Sequence, residues 1–169
     1  MVKVAIIGVG QVGTFLGSLV AQKGNQLLLV EASESRLKQI SDRGIGYYST
    51  NDSKQASFGR DSFAVAEELS EGDNPDIVVL AMKSYDLDID WYKEKVAPYL
   101  PTTSKVVLIQ NNLPSEELLE QIGDDRSIVM VVNAGFSLTD EGRAVTTKKF
   151  ANLVINAGSY RDSLLASEV

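Results

Sequence analysis

Short apolar runs alternate with stretches of helical periodicity along most of the chain. The runs that predict buried strands span residues 2–7, 27–30, 76–82, 105–110 and 127–132. Between them, apolar residues recur every three or four positions, which predicts helices after Gly8, Ser33, Asp86 and Pro114. Apolar strands that alternate with amphipathic helices imply a parallel sheet covered on both faces.

The pattern changes in two parts of the chain. Residues 45–63 are irregular, and we expect one or two short strands there. Short alternating segments at 134–138, 143–148 and 153–156 predict further strands, which we expect to extend the sheet in antiparallel fashion. The predicted fold class is therefore α/β, with a doubly wound, mostly parallel sheet and antiparallel strands at its C-terminal end.

Composition and charge exclude several classes of protein. The chain has no cysteine and no histidine, which removes disulfides, thiolate zinc sites and histidine-dependent catalysis, and we expect no metal site. With 16 basic and 23 acidic residues the net charge is −7, which argues against a nucleic-acid partner. No apolar run approaches the ~20 residues that span a bilayer, and the apolar start is too short for a secretory signal. We expect a cytoplasmic protein without a membrane partner.

The strongest motif directly follows the first predicted strand. It has the form GxGxxG, is called the glycine loop below, and consists of Gly8, Val9, Gly10, Gln11, Val12 and Gly13. Because it joins a strand to a helix, we expect Gly8 to permit a tight turn and Gly13 to let the helix pack closely. Gly10 would let the backbone approach a pyrophosphate, which the helix N-terminus attracts. The loop is a candidate dinucleotide site; the alternative is a glycine-rich turn without a ligand.

Glu31 is a second candidate, at the end of the second predicted strand. It lies 18 residues after Gly13, close to the ~20 expected for the carboxylate that binds the adenosine ribose. Such a carboxylate accepts both ribose hydroxyls and repels a 2′-phosphate, so this interpretation favours NAD over NADP. In a second interpretation Ser33, Ser35 and Arg36 form a phosphate pocket and Glu31 turns away. In a third, Glu31 is a solvated charge without a ligand.

Two further loops follow later strands of the predicted sheet. Lys83 comes after the third strand, where it would point at the ligand crevice; the alternative is a lysine in an exposed loop. Asn111 comes after the fourth strand and carries both donors and an acceptor, so it could bridge a ribose and a substrate. The same residues, Asn-Asn-Leu-Pro, also suit a simple turn.

These residues together resemble a known family. Residues 8–13, 81–83 and 109–111, in this order and spacing, resemble the ketopantoate reductases (2-dehydropantoate 2-reductases), and residues 133–136 and 140–145 resemble the next segment of that family. The resemblance covers nearly the whole chain but only the N-terminal part of the family. It implies that residues 1–169 form a Rossmann-type dinucleotide-binding domain, and that the family's C-terminal helical domain is absent.

The resemblance also implies an activity and roles for named residues. The family reduces ketopantoate to pantoate with NADPH, a step of pantothenate biosynthesis. By resemblance the glycine loop holds the pyrophosphate, Lys83 binds the adenosine end, and Asn111 contacts the nicotinamide ribose and the substrate as a catalytic residue. The expected partners are a dinucleotide and a small 2-keto acid, and the sequence leaves a homodimer open.

This sequence departs from the family pattern in three respects. Glu31 and Ala32 stand where NADPH-specific members usually carry an arginine, and Asn112 stands where a glycine is usual. The third departure is length: the family's second domain, which carries the catalytic lysine and an acidic residue, has no counterpart here. We therefore expect cofactor binding with little turnover. The alternatives are an NAD-linked 2-hydroxy-acid, opine or polyol dehydrogenase domain, a non-catalytic dinucleotide-binding module, or a site for FAD or an adenylate.

Overall fold

The computed structural model describes residues 1–51, 53–83, 87–109, 114–132, 135–146 and 153–156. The strands are β1 Lys3–Ile7, β2 Gln26–Val30, β3 Ile45–Ser49, β4 Gln55–Phe58, β5 Ala64–Ala66, β6 Ile77–Leu80, β7 Lys105–Ile109, β8 Ser127–Val132, β9 Phe136–Leu138, β10 Ala144–Thr146 and β11 Leu153–Asn156. The α-helices are α1 Gln11–Gln22, α2 Glu34–Arg43, α3 Ile89–Lys95 and α4 Glu116–Ile122. Short 3₁₀ turns occupy Arg60–Ser62 and Ala97–Tyr99.

Seven strands form the main sheet, in the order β11-β8-β7-β6-β1-β2-β5. Six of them are parallel, and β11 runs antiparallel to β8 at one edge. This arrangement confirms the predicted α/β fold with a doubly wound, mostly parallel sheet. Strands β1, β2 and β5 form one half of this sheet, and β6, β7 and β8 follow on the other side of β1. The direction in which successive strands are added therefore reverses between β1 and β6.

Alternate residues of the main sheet enter two separate cores. Ile7 packs in a cluster with Tyr92 of α3 and Leu118 of α4. Its neighbour Ile6 points to the other face, into a cluster with Ile40 of α2 and the apolar side of α1. Because both faces are covered, the strands need apolar residues at nearly every position, which is the pattern seen in the sequence.

A small sheet of four strands, in the order β4-β3-β10-β9, packs beside α1. The expectation that β9 and β10 extend the main sheet is wrong, because β10 pairs in parallel with β3 and antiparallel with β9. The physical reason is an aromatic cluster: the ring of Phe15 in α1 lies 5.2 Å from that of Tyr47 in β3 and 5.4 Å from that of Phe136 in β9. Of the last three predicted strands, only β11 joins the main sheet antiparallel as expected.

The helix boundaries follow local capping. Ser33 and Ser115 cap α2 and α4 through their hydroxyl oxygens, at the predicted starts of these helices. The start of α3, predicted directly after Asp86, lies two residues later, because Asp88 is the cap: its carboxylate accepts the N–H of Trp91 at 2.7 Å. None of the helices within the described ranges is long and apolar enough to cross a membrane.

Candidate functional site

The turn at Gly8 brings three strand ends into close contact. Gly8 has a positive φ of 87°, and its N–H donates to the carbonyl of Val30 at the end of β2 at 2.9 Å. A Cβ on Gly8 would lie 2.8 Å from the backbone nitrogen of Met82, just after β6. Only glycine fits both the conformation and the space, so the tight turn expected at Gly8 is present.

The other two glycines of the loop differ in their surroundings. A Cβ on Gly13 would overlap the carbonyl oxygen of Gly8, so α1 packs against the loop as closely as expected. At Gly10 nothing lies within 4 Å of an added Cβ. Gly10 is also the N-cap of α1, with no side-chain cap and no acidic residue in the first turn. The space on the Cβ side of Gly10 is therefore open, and the role of Gly10 with a pyrophosphate stays a prediction.

Glu31 lies directly after β2 and faces the glycine loop. Its Oε2 accepts the N–H of Val9 at 2.9 Å, and its Oε1 accepts the N–H of Ser33 at 3.0 Å. The side chain is partly buried. Glu31 therefore faces the glycine loop, and the choice between its ribose-binding role and a phosphate pocket at Ser33, Ser35 and Arg36 stays a prediction.

Arg36, in the first turns of α2, contacts the same residue of the loop from the other side. Its Nε donates to the carbonyl of Val9 at 2.9 Å, and its Nη2 donates to Oγ1 of Thr14 at 2.6 Å and to the carbonyl of Gly142 at 3.3 Å. Its Nη1 donates to Oε1 of Gln39. Burial lowers the pKa of Arg36, and the charge of Glu31 opposes that shift.

The three residues of the predicted phosphate pocket, Ser33, Ser35 and Arg36, hydrogen-bond within the protein, and their role with a phosphate stays a prediction. The Arg36 guanidinium donates to protein acceptors, while Ser33 Oγ lies 3.1 Å from Ser35 Oγ and accepts the N–H of Arg36. A partly buried guanidinium group requires acceptors, and the carbonyls of the glycine loop and of the β9–β10 turn supply them to Arg36.

A cavity of about 480 Å³ opens beside the glycine loop. It is lined by the ends of β1, β2 and β6, by residues 67–69 after β5, and by Trp91 and Lys95 of α3. These strand ends flank the place where the strand order reverses, between β1 and β6, which is where open α/β sheets bind their ligands.

The charges around this cavity are mainly acidic. Among the described residues, Glu31, Glu67 and Glu68 line it together with one cation, Lys95. Lys95 Nζ lies 3.6 Å from Glu68 Oε2 and 3.3 Å from Glu94 Oε1. The hydrogen bond with Glu94 raises the pKa of Lys95. No group of three or more Asp or Glu residues able to hold a metal ion occurs among the described residues.

The remaining predicted site residues, Lys83 and Asn111, follow β6 and β7 in the sequence. Lys83 is exposed and follows Met82, which lines the cavity. Asn111 lies outside the described residues, so its predicted role is not tested here. Sequence reasoning missed Trp91 and the pair Glu67 and Glu68, because single residues in irregular or amphipathic segments carry no motif.

Comparisons with known proteins agree with this fold. A family model described as ketopantoate reductase PanE/ApbA matches residues 4–159. Among curated proteins, the 2-dehydropantoate 2-reductase of Lactococcus lactis subsp. lactis (strain IL1403) is 21% identical over 119 residues, which is 70% of this chain and 36% of that protein.

Solved structures show the same fold. The 2-dehydropantoate 2-reductase of Geobacter metallireducens GS-15 superposes with a TM-score of 0.74 at 19% identity, covering 97% of this chain and 53% of that one. D-mandelate dehydrogenase in complex with NADH and anilino(oxo)acetate gives a TM-score of 0.72 at 16% identity, covering 98% and 52%. The chain thus spans about half the length of these solved relatives. The family match, which covers nearly the whole chain, confirms the resemblance seen in the sequence: the chain belongs to the ketopantoate reductase family.

Proposed function

We propose that residues 1–169 form the dinucleotide-binding domain of an oxidoreductase that acts on a 2-keto acid such as ketopantoate, and that this domain prefers NADH. The observation that carries the proposal is the position of Glu31. Its carboxylate lies at the end of β2, on the wall of the cavity and beside the glycine loop. The family membership of the chain supports the reaction class.

The residues present fit such a cofactor. The open space at Gly10 and the uncapped N-terminus of α1 suit a pyrophosphate, because free N–H groups and the helix dipole stabilise an anion. The carboxylate of Glu31 suits the two ribose hydroxyls of the adenosine half. When bound, the cofactor supplies a hydride, and the protein contributes binding and orientation.

The charges of the cavity support NADH over NADPH. A 2′-phosphate would come close to Glu31, in a cavity that Glu67 and Glu68 also line and in which Lys95 is already paired with Glu68. Two unit charges 4 Å apart interact by about 1 kcal/mol in bulk water and about 4 kcal/mol near a protein surface. We therefore expect NADH to bind at least roughly tenfold more tightly than NADPH.

Parallel calorimetric titrations with NADH and NADPH at one salt concentration test this proposal. Glu31→Gln keeps an acceptor for the N–H of Val9 but removes the negative charge. It is therefore expected to reduce the difference between the affinities for NADH and NADPH. Glu34→Ala is the matched control, because it removes an exposed carboxylate in the first turn of α2. Tighter binding of NADPH by the unmodified chain would contradict the cofactor preference, and failure to bind either cofactor would contradict the proposal as a whole.

Turnover by this chain is expected to be low, since the resemblance assigns the catalytic lysine and an acidic residue to a second domain. NADH oxidation at high protein concentration with ketopantoate measures this turnover, and a rate typical of enzymes would contradict the expectation.

The same assay with other 2-keto acids tests the second candidate function, an NAD-linked 2-hydroxy-acid dehydrogenase, which Glu31 also favours. A faster reaction with an aromatic 2-keto acid than with ketopantoate would support that candidate.

A further inference from the structure

The peptide groups of Val9 are held from two directions. Glu31 accepts the N–H of Val9, and Arg36 donates to its carbonyl, each at 2.9 Å. Thr14 Oγ1 donates to the same carbonyl at 3.2 Å and itself accepts from Arg36. Val9 lies between the first two glycines of the loop, so these hydrogen bonds fix the backbone that leads into Gly10.

Arg36 also joins this loop to a distant part of the chain. Its Nη2 donates to the carbonyl of Gly142, in the turn between β9 and β10. The neighbouring side chain of Gln39 donates to the carbonyl of Asp140 in the same turn at 2.9 Å. The turn between β9 and β10 and the glycine loop therefore both accept hydrogen bonds from the guanidinium group of Arg36.

We infer that Arg36 is a positioning residue for the glycine loop, and that the β9–β10 turn keeps it in place. The inference rests on the proposed function, since it names what shapes that same site. A guanidinium suits this task because its planar fork donates in three directions at once, whereas a lysine ammonium offers a single point of charge. The turn therefore contributes to dinucleotide affinity without touching the ligand.

Gly142 allows this coupling to be tested from a distance. It has a φ of 79°, and a Cβ placed there would overlap Nη1 of Arg36 and lie 2.7 Å from Cδ of Gln39. Gly142→Ala therefore forces the ends of the Arg36 and Gln39 side chains to shift at this turn, while the glycine loop is unaltered in sequence. Gly24→Ala is the matched control, because Gly24 has a similar φ of 71° with nothing within 4 Å of an added Cβ. Gly24 lies between α1 and β2, at the opposite end of the main sheet from the glycine loop.

Two measurements on the 169-residue chain distinguish positioning from general stabilisation. In calorimetric titration, Gly142→Ala and Arg36→Lys are each expected to bind NADH roughly tenfold more weakly, the order expected for one charge-assisted hydrogen bond. Gly24→Ala is expected to bind as the unmodified chain does. In ligand-free protein, NMR hydrogen exchange of the Val9 amide is expected to accelerate in Gly142→Ala and Arg36→Lys, while the amides of α4 exchange at unchanged rates. A variant that merely loosened the fold would accelerate both sets of amides.

The outcomes separate this inference from the proposed function. If the unmodified chain binds NADH and Gly142→Ala binds it equally well, Arg36 does not position the loop, and the proposed function stands. If the unmodified chain binds neither dinucleotide, the proposed function fails, and the Val9 exchange rate still decides whether Arg36 orders the loop. If Arg36→Lys weakens NADPH binding but not NADH binding, Arg36 recognises a phosphate, and the inference is wrong.

Discussion

Gly10 and Gly13 belong to one motif but have different surroundings, so one substitution made at each separates stability from binding. A Cβ at Gly13 overlaps the carbonyl oxygen of Gly8 and lies 3.1 Å from its carbonyl carbon. At Gly10 the space is open, and its φ of −74° is accessible to alanine. We predict that Gly13→Ala destabilises the ligand-free chain, whereas Gly10→Ala leaves its stability nearly unchanged and weakens NADH binding.

Two opposing effects set the size of the change at Gly13. Alanine is more favourable than glycine inside a helix by about 1 kcal/mol. Overpacking costs about 3 kcal/mol here, at the upper end of its usual range, because a backbone carbonyl cannot rotate away as a side chain can. The free energy of unfolding should therefore fall by about 2 kcal/mol, which lowers the Tm by about 4–8 °C for a chain of this length.

At Gly10 the two effects nearly cancel. Alanine is a poorer N-cap than glycine by about 0.5–1 kcal/mol. It also restricts the unfolded chain, which stabilises the folded state by about 0.4–1 kcal/mol. The Tm of Gly10→Ala should therefore stay within about 2 °C of the unmodified value.

Thermal unfolding and NADH titration of the unmodified chain, Gly10→Ala and Gly13→Ala check the expected effects on stability and on binding. Gly10→Ala is expected to lose roughly tenfold in affinity, because its methyl group occupies the approach to the open backbone. A Gly13→Ala protein with an unchanged Tm would refute the steric argument. A Gly10→Ala protein with unchanged affinity would refute the use of this backbone by the ligand.

Two further predictions concern α3. Asp88→Ala should lower the free energy of unfolding by about 1 kcal/mol, because it removes the cap that accepts the N–H of Trp91. In urea denaturation, the control Asp90→Ala, in the same turn, should lower the free energy of unfolding by less. Equal decreases for the two variants would contradict the capping role. Burial raises the pKa of Tyr92, so the folded chain retains the phenolic proton more tightly than the unfolded chain does. Its contribution to stability is therefore complete below the unfolded pKa of about 10 and is lost as the pH rises above it. Urea denaturation between about pH 8 and about pH 11 should show a smaller decline for Tyr92→Phe than for the unmodified chain, and equal declines would refute this account.

Most of the main sheet could be predicted because its central strands are buried on both faces, whereas the short, partly exposed edge strand β5 was not predicted. β8 has the predicted bounds, and β1, β2, β6 and β7 differ from theirs by one or two residues at an end. The small sheet could not be predicted in the same way. Its strands are short, and β3 and β10 pair across a long stretch of chain, so local alternation gives no information about which partner each strand selects.

The candidate site was predictable where a residue type marks a position. Glu31 could be located from its spacing to the glycine loop, because the end of the second strand has a fixed place relative to the first. The contacts of Arg36 could not, since its acceptors at Val9 and Gly142 are backbone carbonyls, which every residue carries. Sequence reasoning therefore identified Arg36 as a candidate for phosphate binding, while the structure assigns its hydrogen bonds to the protein itself.

The path of the chain between the two sheets has a consequence for folding and for recombination. The chain leaves the main sheet after β2 to form β3 and β4, returns for β5 to β8, leaves again for β9 and β10, and returns for β11. Pairing of residue 47 with residue 144 closes the small sheet, and such distant contacts form slowly compared with local ones. Neither sheet corresponds to one continuous stretch of sequence. A chimaera with a relative must therefore exchange the whole interleaved unit, because a crossover point between β3 and β10 divides both sheets between the two parents, and any other crossover point between β1 and β11 still divides the main sheet.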